Sequence, residues 1–268
     1  MSCGDDMFDG MSIYVCTDLL HFFVHETLPH IKNSFTLVTG DSDLSVPQEV
    51  LLPGDFFSLI QHPCLKQWFA QNIALDTSMR PSKLKMLPIG LDYHTIFSRP
   101  HHPWRKATEG SSPQDQEKIL MSLRETMKPF HLRKIKLYVN FSRSNDRFGQ
   151  RKECLEKIPG DLLAFHGDFL PRTDNWKCIT DYSFVLSPFG NGMDCHRTWE
   201  ALCLGAIPVI KGKHFADLFE DLPVLMVENW SDLNEDFLIQ TVKQFKERKF
   251  NYKKLELSYW VEEISASV

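Results

Sequence analysis

The sequence predicts an α/β fold of two Rossmann-like halves, each with a parallel sheet, facing one another across a cleft. Three observations predict it. Short apolar runs that end in polar turns alternate with longer runs of helical spacing, the pattern of βαβ units. Residues 98–118, with three prolines and a Ser-rich turn, interrupt that alternation, and a second alternating half follows. A chain of 268 residues has room for two compact domains, placed at 1–130 and 131–268, with the last helix a candidate to pack back on the first. Ligands of such a fold sit beyond the carboxyl ends of the strands.

In chain order, Met11–Cys16 and Phe35–Thr39 are runs rich in Ile, Val and Tyr that end in Thr17-Asp18 and Gly40-Asp41-Ser42-Asp43, as buried parallel strands do. Leu19–Ile31 has the length and apolar spacing of a crossover helix. Gln67–Ile73 and Leu84–Ile89 are the next strands, the second ending in Gly90-Leu91-Asp92. Ser112 before Pro113 starts a helix that carries Leu120, Leu123 and Met127. In the second half, Ile135–Asn140, Leu162–Phe165, Ser183–Leu186, Ile207–Ile210 and Val224–Val227 are strand-like. Helices are expected at Arg151–Lys157, Cys195–Leu204 and Asp232–Arg248.

Composition excludes several function classes. Hydrophobic residues at 43% and charged residues at 24% describe a folded soluble protein. Thirty basic against thirty-five acidic side chains give a net charge of −5, so no general grip on nucleic acid or anionic lipid is expected and any polyanion site must be local. The seven cysteines (3, 16, 64, 154, 178, 195 and 203) are scattered, without CxxC or zinc-finger spacing, and are expected to be reduced thiols. The start, MSCGDDMFDG, lacks the basic and apolar stretches of a signal peptide, and no run approaches the ~20 apolar residues of a membrane span. Ser2 is not the glycine of a myristoylation site, and the C-terminus has no CaaX cysteine. A cytoplasmic location is expected.

The chemistry concentrates in Tyr182–Ile210, YSFVLSPFGNGMDCHRTWEALCLGAIPVI, which reads strand, glycine loop, helix, strand. Asp194 is expected as N-cap, Gly205 as terminator, and Cys195, Trp199, Leu202 and Cys203 as a buried stripe that leaves His196, Arg197 and Glu200 off it. A cation in the first helical turn opposes the helix dipole unless an anion is bound there. Backbone N–H groups at the helix start, with Gly190 and Gly192 allowing close approach and Arg197 adding a guanidinium, would cradle a phosphate. Ser187, Pro188, Asp194 and His196 are also expected at the donor, and Glu200 would accept from sugar or ribose hydroxyls. Residues 131–151 carry six Lys/Arg (133, 134, 136, 143, 147 and 151) against Asp146 alone, a local +5. Asn140 ends the strand Ile135–Asn140, Ser142, Arg143, Arg147 and Arg151 follow it, and all would lie at the same sheet edge. Two anion-friendly loops on one edge point to a diphosphate. An ordinary glycine loop with a surface Arg–Glu pair, and a solvated basic turn, are the plain alternatives.

FVLSPFGNGMDCHRTWEALCLGAIPVI resembles the signature of exostosin-like glycosyltransferases of the family 47 type and of related short enzymes of algae and large algal viruses. FTLVTGDSD, WFAQNIALD and LKMLPIGLDYHTIF resemble the same group, and the likeness spans most of residues 11–230. It implies a GT-B fold with a nucleotide sugar on the C-terminal domain and an acceptor and base on the N-terminal one. A UDP-sugar donor is implied, xylose being the guess, with a glycan or glycoprotein hydroxyl as acceptor and, for a viral chain, the host cytoplasm as location. Retaining GT-B enzymes often carry paired glutamates, but the positions eight before and after Glu200 are Gly192 and Pro208, which favours inversion. Candidates for the base are Asp18, His25, Asp41, Asp43, Asp76, Asp92 and His94, with Asp76 and Asp43 first because each follows a strand in a family-like piece. No cofactor or metal is expected. Asp41-x-Asp43 keeps open a metal-dependent GT-A reading, and a sugar-nucleotide-binding module without turnover is the non-enzyme alternative.

Overall fold

The computed structural model describes residues 10–166 and 169–267. Its strands form two wholly parallel sheets. The first has the order β1-β2-β3-β4, from β1 (Met11–Cys16), β2 (Phe35–Gly40), β3 (Leu65–Ala70) and β4 (Leu84–Met86). The second has the order β6-β5-β7-β8-β9, from β5 (Lys134–Val139), β6 (Leu163–Phe165), β7 (Tyr182–Leu186), β8 (Ile207–Lys211) and β9 (Leu225–Val227). The helices are α1 (Leu20–Phe22), α2 (Pro53–Ile60), α3 (His94–Ser98), α4 (Pro113–Thr126), α5 (Gln150–Lys157), α6 (Arg172–Ile179), α7 (His196–Cys203), α8 (Ala216–Phe219), α9 (Glu235–Glu247) and α10 (Leu257–Ser265). This is the predicted α/β plan of two parallel sheets.

Apolar strand residues make the cores. Phe35, Leu37 and Trp68 in the first sheet and Leu137, Phe184, Leu186, Ile207 and Val209 in the second are wholly buried. The indole of Trp68 donates to Thr39 Oγ1 at 2.9 Å, so its buried polar atom is satisfied. The Ser112 hydroxyl accepts from the Asp115 amide at 3.1 Å with Pro113 at the first helical position, the predicted start of α4.

The two sheets differ in winding. The second reverses strand order between β5 and β7, and such a switch point opens a ligand crevice. The first has no reversal. Right-handed crossovers in a sequential sheet all lie on one face, so its other face has to be covered from outside. The core around it is indeed completed by Phe189, Met193, Trp199, Phe215 and Phe219 of the second half, with Leu255 and Trp260 at its margin. Thr36 of β2 also donates to the Ser267 carbonyl at 2.9 Å, bringing the C-terminal segment against the first sheet.

Several predicted elements are corrected. The crossover at Leu19–Ile31 is not one helix but a 3-10 turn (Thr17–Leu19), α1, a π turn (Phe23–Thr27) and a second 3-10 turn (Leu28–His30). Pro29 lacks the N–H that would continue it. Predicted Gln67–Ile73 is β3 at Leu65–Ala70, ended by Asn72 in the left-handed region (φ 52°). Leu84–Ile89 stops at Met86, because Pro88 has no amide for the ladder. Helices α2, α3, α6, α8 and α10 are not foreseen by the sequence reading. The six cysteines among the described residues are free thiols, while Cys3 lies outside the described residues. Among the described residues no helix is long and apolar enough to cross a membrane.

Candidate functional site

A cavity of about 750 Å³ opens between the carboxyl edges of the two sheets. Its walls are the segments after β2 (Asp43), β4 (Ile89, Asp92), β5 (Asn140–Asn145), β6 (His166, Phe169) and β7 (Gly190–Arg197). The β5 and β7 loops flank the switch point.

The cationic wall is built locally. Gly149 (φ 69°) turns the chain into α5, and Asp146 caps it by accepting from the amides of Arg151 at 2.9 Å and Lys152 at 2.8 Å. Arg151 is buried, its Nε donating to the Phe189 carbonyl at 3.2 Å and its Nη1 to that of Ser142 at 2.6 Å. A Cβ on Gly190 would lie 2.3 Å from Arg151 Nη2, so only glycine leaves the guanidinium its place. Arg197 donates to the Pro188 carbonyl at 3.4 Å, and its guanidinium lies 5.2 Å from the Phe141 ring, with that of Arg151 5.6 Å away. Burial and then the charge of Arg197 push the Arg151 pKa down. Among the described residues, neither arginine nor Arg143, also on the wall, has a carboxylate within 4.0 Å. Unneutralised guanidiniums on one wall give the cavity a demand for an anion.

A second group of charges on the wall is paired internally. Asp92, Arg172 and Glu200 are all buried. Arg172 Nη2 meets Asp92 Oδ2 at 3.0 Å, and its Nε is 3.9 Å from Glu200 Oε1. Arg172 also donates to Gln116 Oε1 at 2.9 Å and stacks 4.8 Å from the Trp104 ring. Burial alone would raise the Asp92 pKa, but the Thr95 hydrogen bonds and then Arg172 outweigh it and hold the carboxyl below its ordinary value. Glu200 is therefore corrected: it lies inside the fold beside Arg172 rather than off the buried face.

Helix α7 joins the halves. Its N-cap is Cys195, not the predicted Asp194, because the Asp194 carboxylate is engaged across the cleft. It accepts from the Ile89 amide at 2.8 Å and the Trp199 indole at 2.9 Å, while its own amide donates to Asn72 Oδ1 at 2.8 Å. Full burial pushes its pKa up to about 6, against the lowering by those donors. His196 Nδ1 lies 2.8 Å from the Gly90 carbonyl, which can only accept, so Nδ1 is the donor there and Nε2 is the ring nitrogen left for another partner. His102, also on the wall, has the reverse tautomer, its Nδ1 accepting from the Trp104 amide at 3.2 Å. At the far end, Gly205 (φ 65°) donates to Leu202 and Ala206 to Ala201, the Schellman pattern expected of a glycine terminator.

The cavity thus brings together Asp43, Asn140, Ser142, Arg143, Arg151, Gly190, Asp194, His196, Arg197 and Glu200 from the sequence-predicted set. It does not include Asp76, Arg147, Ser187 or Pro188. Asp76 is exposed and pairs with His214 at 3.2 Å. Arg147 pairs with Glu49 and reaches the Asp43 carbonyl, tying the basic loop to the first half. Ser187 shares a 2.9 Å hydrogen bond with Thr198, anchoring the start of α7 to β7. Of the remaining basic residues, Arg133 donates to the Lys128 and Leu204 carbonyls, burial pushing its pKa down to about 10, and Lys136 donates to the Asp161 carbonyl. Asp41 adopts φ 59° and does not line the cavity. Sequence reasoning missed Arg172, Asn175 and Trp104, whose partners are distant in the chain. Asn175 Oδ1 accepts from Tyr138 at 3.0 Å and Asn140 at 3.2 Å.

No family model matches the chain. No curated protein matches it either. Among solved structures, it is similar to the wall teichoic acid polymerase TagF, an H444N variant with CDPG, over 97% of this chain and 88% of that one. The identity is 10% and the TM-score 0.23, a likeness too low to carry an argument about fold or function.

Proposed function

We propose that the chain is an inverting glycosyltransferase that uses a nucleotide-diphosphate sugar. The observation that carries this reading is the pair Arg151 and Arg197, both held within 6 Å of the Phe141 ring at the switch point with no carboxylate among the described residues to neutralise them. The resemblance of Phe184–Ile210 to exostosin-like enzymes adds the class of donor, a UDP-sugar, with xylose the first to test. The acceptor is a glycan hydroxyl. His196 Nε2 takes the proton of that hydroxyl as its oxygen bonds to the anomeric carbon. The bond from that carbon to the diphosphate breaks, and Arg143, Arg151 and Arg197 meet the leaving group's charge. Asp43, on the same wall, is the carboxylate alternative for the base. Fixed cations at the diphosphate make transfer independent of a divalent ion there, so it is expected to continue in excess chelator.

The test pairs calorimetry of UDP with hydrolysis of a panel of UDP-sugars, including UDP-xylose, without acceptor. UDP is expected to bind the wild type, and His196→Gln to retain binding while losing ~100-fold or more in turnover. Failure to bind any nucleoside diphosphate refutes the reading. Binding without turnover of any donor makes the chain a sugar-nucleotide-binding module.

A further inference from the structure

We propose that His21, His25 and Asp55 form a transition-metal site, of the zinc class, on the first half and outside the nucleotide cavity. The two histidines stand four residues apart, on α1 and the π turn that follows it, and Asp55 lies in the first turn of α2. His25 Nε2 is 3.2 Å from Asp55 Oδ1, and His21 Nδ1 is 3.6 Å from Asp55 Oδ2. One ligand atom from each of the three residues lies within 4.8 Å of the others. None of the three lines the cavity.

Three features favour an ion over a plain His–Asp pair. First, zinc bonds of 2.0 to 2.2 Å to nitrogen and oxygen place tetrahedral ligand atoms roughly 3.3 Å apart, the range seen between the carboxylate and each ring. Second, Asp55 Oδ2 is buried yet has no hydrogen-bond partner, so an acceptor is left unmet unless something electropositive sits against it. Third, the two imidazoles crowd together, with centroids 4.4 Å apart and tilted by 57°, and both turn a nitrogen toward one carboxylate. If both were charged they would repel, whereas one ion takes both as neutral ligands. The interrupted crossover helix supplies the geometry, and π turns of this kind often accompany functional sites. Two imidazoles and a carboxylate suit zinc, and cobalt as its spectroscopic substitute, rather than magnesium or calcium. The histidine side chains are 61% and 48% exposed, so a fourth position stays open to water. The ion would clip the first crossover to α2 and leave the donor cavity untouched.

The sequence carries the signal as His21-x-x-x-His25, but the third ligand is thirty residues further on and is brought up only by α2. The test uses untagged full-length protein, stripped with chelator and titrated with zinc chloride in calorimetry, then with cobalt chloride in visible absorption. One zinc per chain is expected, with the intense visible bands of low-coordinate cobalt and a rise in unfolding temperature. His21→Ala, His25→Ala and Asp55→Asn should each weaken zinc by ~100-fold or more and abolish the thermal shift. His30→Ala, an exposed histidine on the same segment, should change nothing. UDP affinity should be equal with and without zinc. Absence of saturable one-to-one zinc binding in the calorimetry overturns the proposal. So does tight binding that survives Asp55→Asn, or binding that His30→Ala weakens as much as His25→Ala. Circular dichroism of each apo variant separates lost ligation from lost folding.

Discussion

Replacing Gly190 by alanine should separate anion binding from folding. The added Cβ would stand 2.3 Å from Arg151 Nη2 and 3.3 Å from its Cζ, while the nearest backbone atom, the Asn145 carbonyl oxygen, is 3.7 Å away. Non-bonded heavy atoms settle at ~3.5 Å or more, so the guanidinium must retreat by roughly an ångström while the backbone need not move. Arg151 then leaves the position fixed by the Phe189 and Ser142 carbonyls. A charge-assisted contact to a diphosphate is worth ~1.5 to 3 kcal/mol, so UDP should bind roughly 10- to 150-fold more weakly. The fold loses at most two hydrogen bonds from the end of a flexible side chain, about 1 to 2 kcal/mol, or roughly 2 to 8 °C in Tm. Calorimetry with UDP and a thermal scan read the two effects. Gly54→Ala, where a Cβ would meet nothing within 4 Å, is the control: it should leave UDP affinity unchanged and, being in helix α2, raise Tm slightly rather than lower it. Unaltered UDP affinity in Gly190→Ala would refute the role given to Arg151. A collapse of Tm with no folded protein left would show that Arg151 is a core strut instead.

Arg197→Ala should weaken UDP by a similar factor while the chain unfolds at nearly its normal temperature, and calorimetry beside a thermal scan checks both. Asp194 predicts a pH dependence of stability. Its folded pKa of about 6 exceeds the ordinary value of 3.8, so between those values the native state holds more protons than the unfolded chain. Stability from this group is fully present below about pH 4 and is lost as pH rises through 6. Urea melts of the wild type and Asp194→Asn across pH 4 to 7 should therefore differ in slope, and parallel profiles would remove Asp194 as the cause. At neutral pH, where the carboxylate meets only donors, Asp194→Asn should also cost ~1 to 3 kcal/mol, because an amide nitrogen would face the Ile89 amide or the Trp199 indole.

What the sequence made legible was what local chemistry decides. Every strand was visible because each is a short apolar run in a parallel sheet, and the ends of α4 and α7 because Ser112 and Gly205 perform local tasks. The two loops at the switch point were visible as basic and glycine-rich stretches, yet charge alone could not say that Arg151 turns inward while Arg147 is taken by Glu49. Asp76 and Asp43 looked alike as residues after strands, and only the packing of the halves separates an exposed partner of His214 from a wall residue. Asp194 read as a cap because its position in sequence is that of a cap, while its partners Ile89 and Asn72 lie over a hundred residues away. Helix α6 was missed because RTDNWKCI carries little amphipathic pattern, although Arg172 in it organises one end of the cavity.

The sequential winding of the first sheet also bears on how the chain is made. Synthesis delivers β1 to β4 first, but Phe189, Trp199, Phe215 and Phe219 are needed to close the core around them, and Trp260 comes later still. At ~5 to 20 residues per second, the 174 residues from Met86 to Trp260 take roughly 9 to 35 s to follow. During that interval the part of the first half's core that those residues complete stays open, apolar surface that can stick to other copies. A truncated chain ending near residue 130 would stay in that condition permanently, so the two halves depend on one another from the ribosome onward.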